Sequence, residues 1–169
     1  MTRELYYFTN EQWGLNNIAL KHLKVSDINK LNDPYELNGY FASTPRLKYL
    51  IKKKVSDNQR IICFSQSFKS PLMWAHYADK HKGVCLKFEV HEDDCFDIKY
   101  SKAMAEFIEK KLKNRSLVSK LAVFCNCGLT EKDIFTILTT KFSEWSYEKE
   151  TRVFIPLNDK KDLENELQY

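Results

Sequence analysis

The stretch Ile61–Phe88, IICFSQSFKSPLMWAHYADKHKGVCLKF, decides how the rest of the chain is read. Ile61–Ser65 is rich in β-formers and reads as a strand, followed by a polar turn. Ser70-Pro71 is a cap-then-proline helix start, so a short helix is expected over about 71–80. Val84–Glu89 then reads as a second strand. Trp74, His76, Tyr77, Lys80 and His81 crowd that helix, where a plain core helix would carry aliphatics. The helix is therefore a candidate ligand-facing element. Trp74, Tyr77 and His81 share one stripe and Met73, His76 and Lys80 the next. His76 lies within reach of either a site or the hydrophobic seam, and Gly83 is expected to close the helix in the left-handed conformation.

Working outward, Glu4–Phe8 reads as a strand, with Leu5, Tyr7 and Thr9 on one face and Tyr6 and Phe8 on the other. Tyr7 and Thr9 either present two hydroxyls to a cleft or, respectively, pack in the core and cap the next helix with Gln12. A helix over about 10–21, a short strand at Leu23–Ser26 and a basic helix over about 45–55 follow. Asp33-Pro34 and Thr44-Pro45 repeat the cap-then-proline pattern. Val84–Glu89 and Phe96–Tyr100 are expected to form a hairpin. Helices are expected over about 102–123 and 131–142, the second opened by Thr130 and Asp133, and Arg152–Leu157 closes with a strand. Strands and helices mix without βαβ spacing, which favours α+β.

The 169 residues fit a single domain, 1–169, in which the last residues, DKKDLENELQY, form a short helix, a loose tail or the start of a truncated region. Aromatic residues make up 14% of the chain, enough for both a core and a stacking surface, and the net charge of +4 permits a nucleic-acid partner without requiring one. The N-terminus has no apolar signal-like run and no stretch is long enough to span a bilayer, so a cytoplasmic, membrane-free protein is expected. The five cysteines form no C-x-x-C pair, and Cys125 and Cys127 lack a second ligand pair, so no metal site is expected. The common phosphate-loop glycine motifs are absent. Glu92, Asp93 and Asp94 cluster as a nuclease's Mg²⁺ ligands would, but in an expected hairpin turn.

Near the C-terminus, Tyr147–Arg152 carries Glu148, Glu150 and Arg152 two residues apart. If the segment is extended they share a face, and two carboxylates that close perturb each other's proton affinity. The alternative is that Arg152 pairs with one glutamate on a solvated edge.

LYYFTN (5–10), LNDPYE (31–36), ICFSQS (62–67), SPLMWAHYADKHKGVCLKF (70–88) and WSYEKETR (145–152) together resemble the bacterial domain-of-unknown-function family 2971. More distantly, the Y-F-T opening, the strand followed by S-P-L-M-W, and Glu148-Lys149-Glu150 are similar to the H-Y-T, S-P-M-L-Y and E-x-E elements of DarT-type ADP-ribosyltransferases. That resemblance implies a split β-sheet cleft with surrounding helices that grips NAD. It makes Glu150 the catalytic glutamate and Glu148 its upstream partner. Tyr7 takes the place of the opening histidine, Thr9 matches the threonine, Ser65 supports the nicotinamide side, and Trp74 or Tyr77 stacks on a ring, with His76 nearby. It further implies a nucleic-acid or protein acceptor and a toxin or phage-defence role with an antitoxin-like partner. A phenol in place of the histidine points instead to a degenerate module that senses a nucleotide or partner.

Overall fold

The computed structural model describes residues 1–31, 45–102 and 130–157. Within them the chain is α+β. The strands are β1 (Thr2–Thr9), β2 (Gln59–Ser65), β3 (Val84–His91), β4 (Phe96–Asp97), β5 (Lys99–Ser101), β6 (Thr140–Phe142) and β7 (Glu150–Pro156). The helices are α1 (Glu11–Leu20), α2 (Pro45–Asn58), α3 (Pro71–Tyr77) and α4 (Glu131–Leu138). None of the described helices is long and apolar enough to cross a membrane.

Five antiparallel strands form the main sheet in the order β3-β1-β2-β7-β4, and β5 and β6 pair in parallel beside it. The sheet is really two ladders. β1 and β3 run in register along their whole length, from Thr2↔His91 to Thr9↔Val84. β2 and β7 do the same from Gln59↔Pro156 to Ser65↔Glu150. Between the ladders the registered pair is Tyr6↔Ser65. Beyond it, the edge of β2 is taken by the segment after α1: Ser26 and Ile61 exchange backbone hydrogen bonds of 2.8 and 2.9 Å. Satisfying those β2 groups with Ser26 releases β1, so the strands diverge and leave a split.

Strand alternation explains the core. Ile61 packs with Ile51 and Val55 of α2 and Ile134, Ile137 and Leu138 of α4. Ile62 and Phe64 point the other way, onto Leu5, Leu23, Val25 and Val153. A third cluster, Phe8, Met73 and Ala78, holds α3 against β1. Each fully buried aliphatic here contributes about 1.5–3 kcal/mol relative to exposure.

Several expectations are corrected. Residues 84–89 and 96–100 form no hairpin: β3 pairs with β1 at one edge and β4 with β7 at the other. Leu23–Ser26 forms no extended strand, only isolated bridge positions at Lys24 and Ser26, the latter on Ile61. The helix opened by the Thr130–Asp133 capping box stops at Leu138, and β6 follows it. Asn10, not Thr9, caps α1 by accepting from the Trp13 N–H at 2.8 Å. The aromatic helix ends at Tyr77, and Asp79, Lys80 and His81 all take positive φ, so His81 and Lys82 do not complement a helix dipole. Gly83 is required for space rather than for a left-handed φ: a Cβ there would lie 2.2 Å from the Thr9 carbonyl oxygen. Asn32, Asp33, Thr44, the 103–123 part of the expected long helix, Cys125, Cys127 and the C-terminal tail lie outside the described residues.

Candidate functional site

A cavity of about 400 Å³ occupies the split. β1 lines it with Tyr6, Tyr7, Phe8 and Thr9, and β2 with Cys63, Phe64 and Ser65. His76, Tyr77 and Asp79 enter from α3 and the turn after it, and Lys141, Glu148, Glu150 and Arg152 from the C-terminal elements. Seven of the eight sequence-derived candidates, all but Trp74, therefore meet in one place. Trp74 packs edge-on against Phe8, and its indole N–H donates to the Phe68 carbonyl at 2.7 Å. It supports the wall from behind.

The carboxylates are set by the local backbone. Residues Ser143–Glu148 form a 3₁₀ turn, and Lys149 takes a left-handed φ of 43° before Glu150 begins β7. Ser65 ties this corner down, its hydroxyl donating to the Glu148 carbonyl at 2.7 Å, while the Gln66 N–H donates to the Lys149 carbonyl. The Glu150 N–H donates to the Tyr100 hydroxyl oxygen at 2.8 Å, and its carbonyl accepts from Ile98. Glu148 and Glu150 are thus brought together by a turn and not by extended alternation.

Their side chains share one cation. Lys141 Nζ donates to Glu148 Oε2 at 2.6 Å and to Glu150 Oε2 at 3.3 Å, and sits 4.9 Å from the Trp145 ring centre. Glu148 Oε1 accepts from the Tyr77 hydroxyl at 2.5 Å. Glu150 accepts from Arg152 Nε at 2.7 Å and Nη2 at 3.3 Å, while Arg152 Nη1 reaches the Leu138 carbonyl. Arg152 is 1% exposed, so it does not pair on a solvated edge; the pair is buried.

This environment drives the two carboxyls apart. Burial alone would raise both. At Glu150 the Arg152 and Lys141 charges together outweigh it, and the carboxyl falls to about 2. At Glu148 burial, assisted by the Glu150 charge, outweighs Lys141 and leaves the carboxyl raised. Burial first, and then the Glu148 charge, also raises the Tyr77 phenol, which therefore stays a proton donor to Glu148.

Tyr7 lines the cavity but packs its ring against Phe64. Tyr6, the β1 residue registered opposite Ser65, shares the Ser65–Glu150 face of the sheet. His76 is exposed, with its ring beside Tyr77 and Tyr147. Sequence reasoning missed Lys141, placing it at the end of a helix, and passed over Tyr6 and Asp79. Lys141 stands between Thr140 and Phe142, and nothing local in the sequence marks it as a site residue.

Residues 73–153 match the model of a family described as protein of unknown function (DUF2971). The DUF2971 match takes in Tyr77, Lys141, Glu148, Glu150 and Arg152 and stops short of β1 and β2. Comparison with curated proteins and with solved structures finds no match.

Proposed function

We propose that the protein is an NAD-consuming enzyme of the ADP-ribosyltransferase type, acting on a nucleic-acid or protein acceptor. The observation that carries this reading is the Glu148–Glu150 pair: two carboxylates in one cavity, bridged by one lysine, with proton affinities pushed in opposite directions. Such divergence is how one site holds both an ionised stabiliser and an acid–base group. NAD is the substrate here. Its nicotinamide–ribose C–N bond breaks with the electron pair leaving on nicotinamide, and an oxocarbenium-like centre develops on the ribose. Glu150, kept ionised, faces that positive charge, as a fixed group aimed at developing charge should. The acceptor's lone pair forms the new bond to the ribose carbon, and its proton passes to Glu148, the carboxyl with the higher proton affinity. Tyr6, Tyr77 and His76 supply flat surfaces for the leaving ring, and Ser65 holds the corner that carries Glu148. The toxin or defence role and an antitoxin-like partner rest on the resemblance to DarT-type enzymes.

The test is nicotinamide release, followed by mass spectrometry with NAD and a mixed pool of nucleic acid and protein. Glu150→Gln is expected to lower release by about 100-fold or more, the scale for losing one charge-stabilising group. A melting curve of the variant checks that it is folded. Full activity in a folded Glu150→Gln protein removes Glu150 from its role.

One observation favours a second reading, a nucleotide-sensing or partner-binding module. Glu150 is already matched by both Arg152 and Lys141, which spends much of its charge inside the protein. Calorimetric binding of NAD or ADP-ribose without nicotinamide release would establish the module and reject the enzyme.

A further inference from the structure

Asp79 is the third carboxylate on the cavity wall, and it differs from the other two. Glu148 and Glu150 are buried and ion-paired. The Asp79 side chain is exposed and takes no hydrogen bond or ion pair among the described residues. Its backbone is nevertheless firmly held. Asp79, Lys80 and His81 have φ of 44°, 55° and 69°, three left-handed residues in a row without a glycine among them. The His81 N–H donates to the Trp74 carbonyl at 3.1 Å, the Lys82 N–H to Asp79 at 3.1 Å and the Gly83 N–H to Ala78 at 2.8 Å. Gly83 then packs directly on the Thr9 carbonyl, at the β1 end that also lines the cavity. Side chains other than glycine, asparagine and aspartate rarely hold such a conformation, and it persists where surrounding contacts over-determine it. The turn thus spends conformational energy to fix an unpaired anion at the mouth of a ligand cavity.

We infer that Asp79 is a specificity-determining residue: its carboxylate accepts hydrogen bonds from the vicinal hydroxyls of an unmodified ribose and excludes a phosphorylated one, so that the cavity takes NAD and rejects NADP. This rests on the NAD reading above and adds to it the choice between two dinucleotides of the same shape. A carboxylate with no cation of its own is a good acceptor for a diol, whose hydroxyls both donate. The same carboxylate facing a phosphate monoester brings two anions together, which is selection by repulsion. Lys80 and Lys82 follow Asp79 in sequence, yet neither pairs with it among the described residues, so its carboxylate is the charge that this turn presents at the wall.

The experiment measures NAD and NADP binding to the full chain by calorimetry, for the native protein and for Asp79→Asn. Asparagine tolerates the left-handed backbone and keeps the shape of the side chain, so only the charge is removed. The native protein is expected to bind NAD at least about tenfold more tightly than NADP, the scale of one like-charge contact. Asp79→Asn is expected to close most of that gap, mainly through tighter NADP binding, with an unchanged melting temperature. Equal native affinities, or a gap that survives Asp79→Asn, overturns the role of Asp79 while leaving the NAD reading standing. If the native protein binds neither dinucleotide, the functional reading falls and this inference falls with it.

Discussion

The cavity has two walls that satisfy their polar groups in opposite ways. The wall built from β6, β7 and the turn before β7 carries Lys141, Glu148, Glu150 and Arg152, each 6% exposed or less and each matched to a neighbour. The wall built from β1, α3 and the turn after it carries Tyr6, Tyr7, Thr9, His76 and Asp79, half-buried or exposed. The first wall is expensive to build and rigid once built, because each buried charge must be compensated. The second is cheap and open, and its polar groups face the space a ligand would fill. On the function proposed above, fixed electrostatics and ligand choice would be divided between the two ladders of the sheet, which meet in register at Tyr6 and Ser65.

The largest effect expected from breaking this contrast is at Arg152. Arg152→Met leaves Glu150 with Lys141 as its remaining ion-pair partner among the described residues and frees the Leu138 carbonyl. A loss of about 3–5 kcal/mol is expected, the usual result of removing one partner of a buried pair. Denaturant unfolding measures it, and adding Glu150→Gln should restore part of the loss. The pH dependence follows from the sign of the shift. Glu150 is lowered from 4.5 to about 2, so its contribution to stability is complete above 4.5 and fades as pH falls towards 2. In Arg152→Met the folded-state carboxyl rises, so this acid-dependent loss should shrink and end at higher pH. Unchanged stability and an unchanged acid limb would mean that the two walls do not differ as described.

The next effect belongs to the open wall. Gly83→Ala places a methyl 2.2 Å from the Thr9 carbonyl and under 3 Å from the Ala78 backbone. Both obstacles are main chain, so the turn must move. About 1–3 kcal/mol of destabilisation is expected, as for overpacking elsewhere, with a change in ligand affinity larger than for any surface substitution of Lys80. A variant as stable as the native protein, with native affinity, would show that this turn is not anchored through Gly83.

The alternation of Ile61–Ser65, the capping box at Thr130 and the strand nature of Val153–Ile155 were readable because each depends on neighbours in sequence. So was the convergence of Glu148 and Glu150, although through a 3₁₀ turn and a left-handed Lys149 instead of an extended segment. What stayed hidden depends on partners far away in the chain. β3 pairs with β1 across more than seventy residues, and nothing local distinguishes that from a hairpin with Phe96–Tyr100. Lys141 gains its meaning only when β6 lies beside the turn that holds Glu148. Gly83 looked like a helix terminator, and its real constraint, the Thr9 carbonyl, is on another strand.

Lys141 gives the smallest expected change in stability and the sharpest test of the matched wall. Lys141→Met removes the cation shared by both carboxylates, but Glu150 keeps Arg152, and Glu148 can lose its charge by taking a proton. The stability cost should therefore be only about 1 kcal/mol, far below that of Arg152→Met. Proton affinity should change more. Lys141 lowers the Glu148 carboxyl, against burial and the Glu150 charge, so its removal pushes Glu148 further up. If Glu148 accepts the acceptor's proton, it must be ionised to act, and activity falls as pH drops through its pKa. The acid limb of the pH–rate profile in Lys141→Met should then move to higher pH, with activity at alkaline pH retained in part. An acid limb that stays in place while activity falls at every pH would assign Lys141 to packing and free Glu148 from proton transfer. A limb that moves ties the two carboxylates, two residues apart, to two separate tasks.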